Sequence, residues 1–330
     1  MSLENKDGIK DKVLQFAEKY GIFIVLVVLF IIGSILNENF MTFRNIQNIG
    51  RQVSIITILA LGETLVLISG MLDLSNGSVL ALAGVVSVSV YILSGSLLLA
   101  FLVAVIIGII CNVVNGVLVT KFGTPAFIAT LAMLTMARGA ALLYTKGQNI
   151  YGIGNYTVFG QGVFFGIPTP IWFMGLIVLI TWYVLRHTRL GRSIYSIGGN
   201  EEAAIASGIN INKNKMLAFI INGVFVGIAG VVFMSRVNAG IPNGAQGYEF
   251  NALTAAVVGG TSLSGGIGTA WGTVTGSFIV GILNNIMNLM NVNSYLQQII
   301  RGAIIALAVI YDIRTKKLRK RFKKGERTEK

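Results

Sequence analysis

The sequence predicts an all-α polytopic membrane protein with about ten transmembrane helices (eight to ten), broken or re-entrant segments among them, and both termini in the cytoplasm. Three observations lead there. Hydrophobic residues fill 54% of the 330 positions and charged residues 12%, with a mean hydropathy of +0.75, more apolar than the surface of a soluble domain tolerates. Apolar runs recur whose lengths approach the roughly 20 residues a helix needs to cross a bilayer. Finally, the 26 Lys and Arg are clustered: ten in residues 314–330, four before Tyr20, and five at Arg186, Arg189, Arg192, Lys213 and Lys215. Such clusters hold cytoplasmic segments on their side of the membrane.

The net charge of +13 therefore reports topology and not nucleic acid, since the basic tail has one aromatic, Phe322, on which a base would stack. One cysteine, Cys111, excludes an internal disulfide and a cysteine metal cluster, and the lone His187 leaves no histidine constellation. The first apolar run follows about 20 polar residues without a small-residue cleavage pattern, so no cleavable signal is expected.

Residues 1–20 mix Lys, Glu and apolar positions, with Val13, Leu14, Phe16 and Ala17 near one side, as in an interfacial amphipathic segment. A transmembrane domain over residues 21–313 and a basic cytoplasmic tail over 314–330 complete the chain. Apolar segments fall near 21–36, 53–69, 78–94, 97–119, 126–144, 171–185, 214–235, 252–261, 270–290 and 298–312. Six spans before the basic central loop at 186–213 and four after it keep both ends and the loop on one side. The segment at 252–261 is too short to cross, which leaves eight full spans plus broken pieces as the other count.

Two stretches share a pattern of apolar helix, polar break, apolar helix: Leu59 to Gly84, interrupted at 69–78, and Leu253 to Phe278, interrupted at 261–268. Unwound backbone at membrane depth has unpaired groups that lipid cannot satisfy, so such a break faces protein or a wet cavity, and in transporters it points to the substrate path. Ordinary tight turns at the membrane surface are the other reading.

Polar side chains inside apolar segments are few and so informative. Glu63 sits mid-segment, where a carboxyl binds a coupling proton, hydrogen-bonds a polyol or pairs with a neighbouring helix. Asn112 and Asn115 share a helix face, as do Asn285 and Asn288 with Asn284 beside them. With Asp73 and Ser75 of the first break, these residues are the candidate lining of a pathway for a neutral polar solute; interhelical glue is the competing role. No catalytic set and no metal site emerges. There is no Gly-Lys dipeptide and hence no phosphate-binding loop, and Gly152-Ile153-Gly154 lacks the strand and helix context of a dinucleotide site. Any energy input must come from another subunit.

The central loop carries Gly198-Gly199-Asn200-Glu201-Glu202-Ala203-Ala204-Ile205-Ala206-Ser207-Gly208. Asn200 is an N-cap candidate, two acids occupy the first turn, and Gly208 stands where a two-turn helix would stop. The flanking Arg and Lys have no compensating acid nearby, so a short cytoplasmic surface helix is expected.

Here the residues resemble a known family, the membrane permease subunits of bacterial ABC importers for monosaccharides, ribose permeases nearest among them. The likeness is carried by Leu72-Asp73-Leu74-Ser75-Asn76-Gly77-Ser78, Phe127-Ile128-Ala129-Thr130-Leu131 with Arg138-Gly139, Pro168-Thr169-Pro170, His187-Thr188-Arg189-Leu190-Gly191-Arg192, the central loop, Gly247-Tyr248-Glu249 and Val258-Gly259-Gly260-Thr261-Ser262. It runs from about residue 20 to 312. The resemblance implies a homodimeric pore in the bacterial plasma (inner) membrane, a cytoplasmic ATPase that uses ATP and Mg while this chain binds no cofactor, and an extracytoplasmic sugar-binding protein. It also implies alternating access for ribose or a related monosaccharide. Binding-protein-dependent permeases have a coupling segment with Glu-Ala-Ala, three residues, then Gly; Glu202, Ala203, Ala204 and Gly208 match it, and with Gly199, Asn200 and Glu201 they form the expected contact with the ATPase. The proline that ends the wider pattern is absent from Ala218-Phe219-Ile220-Ile221. An ion-coupled carrier for a small polar solute, using Glu63 and Asp73, is the rival reading.

Overall fold

The computed structural model describes residues 21–307, 309–310 and 314. The expected amphipathic segment at 1–20 and all but the first residue of the basic tail lie outside the described residues. An apolar helix, α1 (Gly21–Leu36), leads into α2 (Phe43–Ile68), α3 (Asn76–Ser94), α4 (Leu97–Thr120) and α5 (Ala126–Thr145). A 3-10 turn and a two-residue hairpin, β1 (Val163–Phe164) with β2 (Ile167–Pro168), follow. Then come α6 (Thr169–His187), α7 (Arg189–Gly199), α8 (Glu201–Ala206), α9 (Ile211–Val237), α10 (Tyr248–Val258), α11 (Ala270–Leu289) and α12 from residue 294.

The protein is a helical multi-pass membrane protein. Among the described residues, α2, α3, α4, α5, α6 and α9 are long and apolar enough to cross a membrane, six helices against the ten segments expected. The segment at 252–261 is the 11-residue α10, about 16 Å long and half of a bilayer's apolar thickness.

Helix α2 is the axis of the bundle. Every residue from Val53 to Ile68 is buried, as a helix apolar on all sides must be, and α6, α9, α10 and α11 pack around it. Helices α4 and α9 meet at a glycine seam: a Cβ on Gly223 would approach Gly108 C at 2.8 Å, and one on Gly227 would approach Val105 Cα at 2.7 Å. Small residues allow this approach, and dispersion between the closely packed backbones supplies attraction that lipid cannot oppose. Helices α4, α5 and α6 present mostly apolar outer faces.

At one end of the bundle, the Ile150–Gly240 bridge ties the loop after α5 to the end of α9. From there the chain doubles back, and Arg138 Nη1 on α5 donates to the carbonyls of Pro242 and Gly244 at 2.7 and 2.8 Å. The two breaks and the α7–α8 loop gather at the other end.

Candidate coupling loop and buried polar network

The central loop folds as two helices, not the single short helix expected. Thr188 caps α7, its hydroxyl accepting from Gly191 N at 3.1 Å, and Ile194 and Ile197 turn inward. Gly198 and Gly199 close α7, and Asn200 joins the helices as C-cap of one and N-cap of the next. Its Oδ1 accepts from Ala203 N at 3.0 Å, the role the sequence assigned to it.

Gly208 takes φ +77°, donates to Ile205 O at 2.9 Å, and lets Ile209 N donate to Ala204 O at 3.0 Å. That pair of bonds is the Schellman ending, which needs a left-handed residue after the cap. Of α8, only Ala204 is buried; Glu201, Glu202, Ala203 and Ile205 face outward, Ile205 with 59% of its surface free. The expectation that the flanking bases lack acids is corrected: Lys215 Nζ lies 2.8 Å from Glu201 Oε2, because the turn after α8 folds α9 back beside it.

The first break, Met71 to Ser75, is unwound and enclosed by protein. Glu63, Asp73, Ser75, Asn76, Asn112, Asn115 and Asn222 form one network, each at most 1% exposed. Glu63 accepts from Asp73 N at 3.1 Å and from Asn76 Nδ2 at 2.8 Å. Asp73 accepts from Ser75 N and Oγ on one oxygen and from Asn222 Nδ2 on the other, at 2.8, 2.5 and 2.8 Å. Asn222 Nδ2 also reaches Asn76 and Asn112, Asn115 Nδ2 donates to Ser75 Oγ, and Thr130 Oγ1 donates to Leu72 O. Helices α2, α4, α5 and α9 thus satisfy a break that lipid could not, which answers the question of tight surface turns for this segment.

Asn76 and Asn222 were missed as site residues. Asn222 stands in an apolar run with no polar partner at helical spacing, so only the fold brings it to Asp73. The other three asparagines lie elsewhere. Asn285 pairs with Asn45, Asn288 Oδ1 accepts from Gln297 Nε2 at 3.0 Å, and Asn284 is buried with its Oδ1 unpaired.

The second break, residues 259–269, is held by Ser262 N to Ile267 O at 2.9 Å, Gly266 N to Ile68 O at 2.8 Å, and the Tyr195 hydroxyl to Gly268 O at 2.6 Å. Its contact with α2 and α7 explains why an 11-residue helix can stop inside the bundle.

Residues 45–309 match the family described as branched-chain amino acid transport system / permease component. The chain belongs to this permease family. It is 43% identical over 294 residues to the ribose import permease protein RbsC of Escherichia coli (strain K12), covering 88% of this chain and 92% of that one. It is 41% identical over 298 residues to the RbsC of Bacillus subtilis (strain 168), covering 89% and 92%. The D-allose transport system permease protein AlsC of Escherichia coli (strain K12) is 36% identical over 300 residues, covering 90% and 92%. No solved structure matches the chain.

Proposed function

We propose that this permease is the membrane subunit of an ATP-driven, binding-protein-dependent importer of ribose or a related monosaccharide in the bacterial inner membrane. Two copies form the pathway by alternating access, within a domain of about ten membrane segments whose termini face the cytoplasm. A cytoplasmic ATPase supplies the energy, an extracytoplasmic binding protein delivers the sugar, and this chain has no ATPase site of its own.

The observation that carries the reading is α8: a two-turn helix fixed at both ends by caps, with Glu202 and Ile205 turned outward on a polar loop. A rigid tip with an exposed isoleucine suits a partner's groove. Relatives named for ribose, and at lower identity for D-allose, support a monosaccharide as the solute. Asp73, Ser75, Asn112 and Asn115 act in this reading as the gate beside the route, Glu63 holding the break in its closed arrangement. Asn284, Asn285 and Asn288 border the route near α11.

The buried pair Glu63 and Asp73, without a cationic partner among the described residues, is what an ion-coupled carrier would use. Uptake of labelled ribose into proteoliposomes holding the permease, its ATPase and its binding protein decides between them. Dependence on internal ATP, with no effect from collapsing proton and sodium gradients, is expected; gradient-driven uptake without ATP would reject the importer.

A further inference from the structure

Three glycine-containing segments far apart in sequence meet backbone to backbone where the loop joins the bundle. A Cβ on Gly198 would fall on the Ile68 carbonyl oxygen and the Gly266 amide nitrogen. One on Gly265 would stand 2.8 Å from Gly198 Cα and 3.0 Å from Gly70 Cα, and one on Gly266 2.8 Å from Gly199 Cα. Thus the end of α7 is wedged against the first break at Ile68–Gly70 and the second at Gly265–Gly266. Two hydrogen bonds stitch the junction: Gly266 N to Ile68 O joins the breaks to each other, and Tyr195 O–H to Gly268 O, at 2.6 Å, joins α7 to the second.

We propose that Gly198 and Tyr195 are positioning residues for transport: through this junction a displacement of the α7–α8 loop moves both broken segments together. No side chain lies between the backbones, and close-packed contacts transmit displacement because they have no void to absorb it. Asn200 alone separates α7 from α8, so the lever from the exposed tip to the breaks is short. The first break carries Asp73 and Ser75 of the buried network only a few residues from Gly70, and the second leads into α11. The inference rests on α8 being the ATPase contact, and the test separates the two.

Complexes with the ATPase and binding protein are reconstituted with Gly198→Ala, Tyr195→Phe and, as a control on α6 with open space around it, Gly175→Ala. Each also carries Cys111→Ser and, at the exposed end of α8, Ser207→Cys for crosslinking to the ATPase. Sugar moved per ATP hydrolysed is the readout. Tyr195→Phe is expected to lower it about fivefold, the equilibrium effect of one hydrogen bond, and Gly198→Ala by about tenfold or more, the scale of an overpacked contact. The crosslink and the copurified ATPase stay at wild-type level, and Gly175→Ala behaves as wild type. If Gly198→Ala fails to assemble, Tyr195→Phe decides alone. An unchanged ratio, even with less assembled complex, overturns the junction as a transmitter. A lowered ratio without any crosslink in the parent protein keeps the junction and rejects α8 as the contact.

Discussion

Asn45 and Asn285 exchange two amide hydrogen bonds, Asn45 Nδ2 to Asn285 Oδ1 at 3.0 Å and Asn285 Nδ2 to Asn45 Oδ1 at 2.8 Å, joining α2 to α11 inside the bundle; Asn45 Nδ2 also donates to Phe40 O at 2.9 Å. Leucine at one position leaves the other amide buried without this partner, at a cost of about 1–3 kcal/mol. Asn285→Leu should therefore lower the thermal midpoint of the detergent-solubilised protein. The double variant Asn45→Leu with Asn285→Leu should recover part of the loss, because neither side-chain amide is left unpaired, while the Phe40 carbonyl, which loses Asn45 Nδ2, keeps the recovery partial. Additive losses in that cycle would show that the pair is not coupled.

The sequence reported this pair only in part, and the reason is general for the chain. Asn285 was recognisable as a polar residue on an apolar helix, yet the offered partner was its own neighbour Asn288, since spacing along one helix is all a sequence displays. Glu63, Asp73, Ser75, Asn112 and Asn115 were legible as polar groups where lipid forbids them. Their union depends on Asn222, 149 residues from Asp73, which only the packing of α9 against α2, α3 and α4 supplies. Local signals fared better: Asn200 caps and Gly208 turns left-handed as read, because caps are decided within a few residues. Helix α7 was overlooked although Thr188 before Leu190, Ile194 and Ile197 is a cap followed by helical spacing, a pattern masked by the run of basic residues taken for topology alone.

Sidedness can be checked with the only thiol removed. In a Cys111→Ser background, a cysteine at the exposed Ser207 should react with a membrane-impermeant maleimide only after cells are opened. Labelling from outside intact cells would invert the topology and detach α8 from any cytoplasmic ATPase.

The buried network is expected to matter for movement more than for assembly. Asn112→Leu with Asn115→Leu removes one of the three acceptors of Asn222 and the donor to Ser75, two hydrogen bonds of about 1 kcal/mol each. Uptake should fall roughly tenfold or more through loss of the transport-competent arrangement, while the ATPase still copurifies in normal amount. Wild-type uptake from this double variant would reduce the two asparagines to packing.

The end of α8 offers the sharpest separation of folding from coupling. Gly208 has no atom within 4 Å of where a Cβ would stand, so a side chain there meets no clash, and the whole penalty lies in its φ of +77°. For a β-branched residue that backbone costs about 1–3 kcal/mol, whereas asparagine visits the region readily. Gly208→Val should therefore unwind the Schellman ending and misdirect α8 while the membrane helices stay folded, and Gly208→Asn should stay near wild type. Glu202→Lys changes only the charge that the tip presents, because Glu202 is exposed and Lys215 is already held by Glu201. In reconstituted complexes both Gly208→Val and Glu202→Lys should keep basal ATP hydrolysis and lose most of its stimulation by sugar-loaded binding protein. Full stimulation in both would mean that the tip of α8 merely connects α7 to α9.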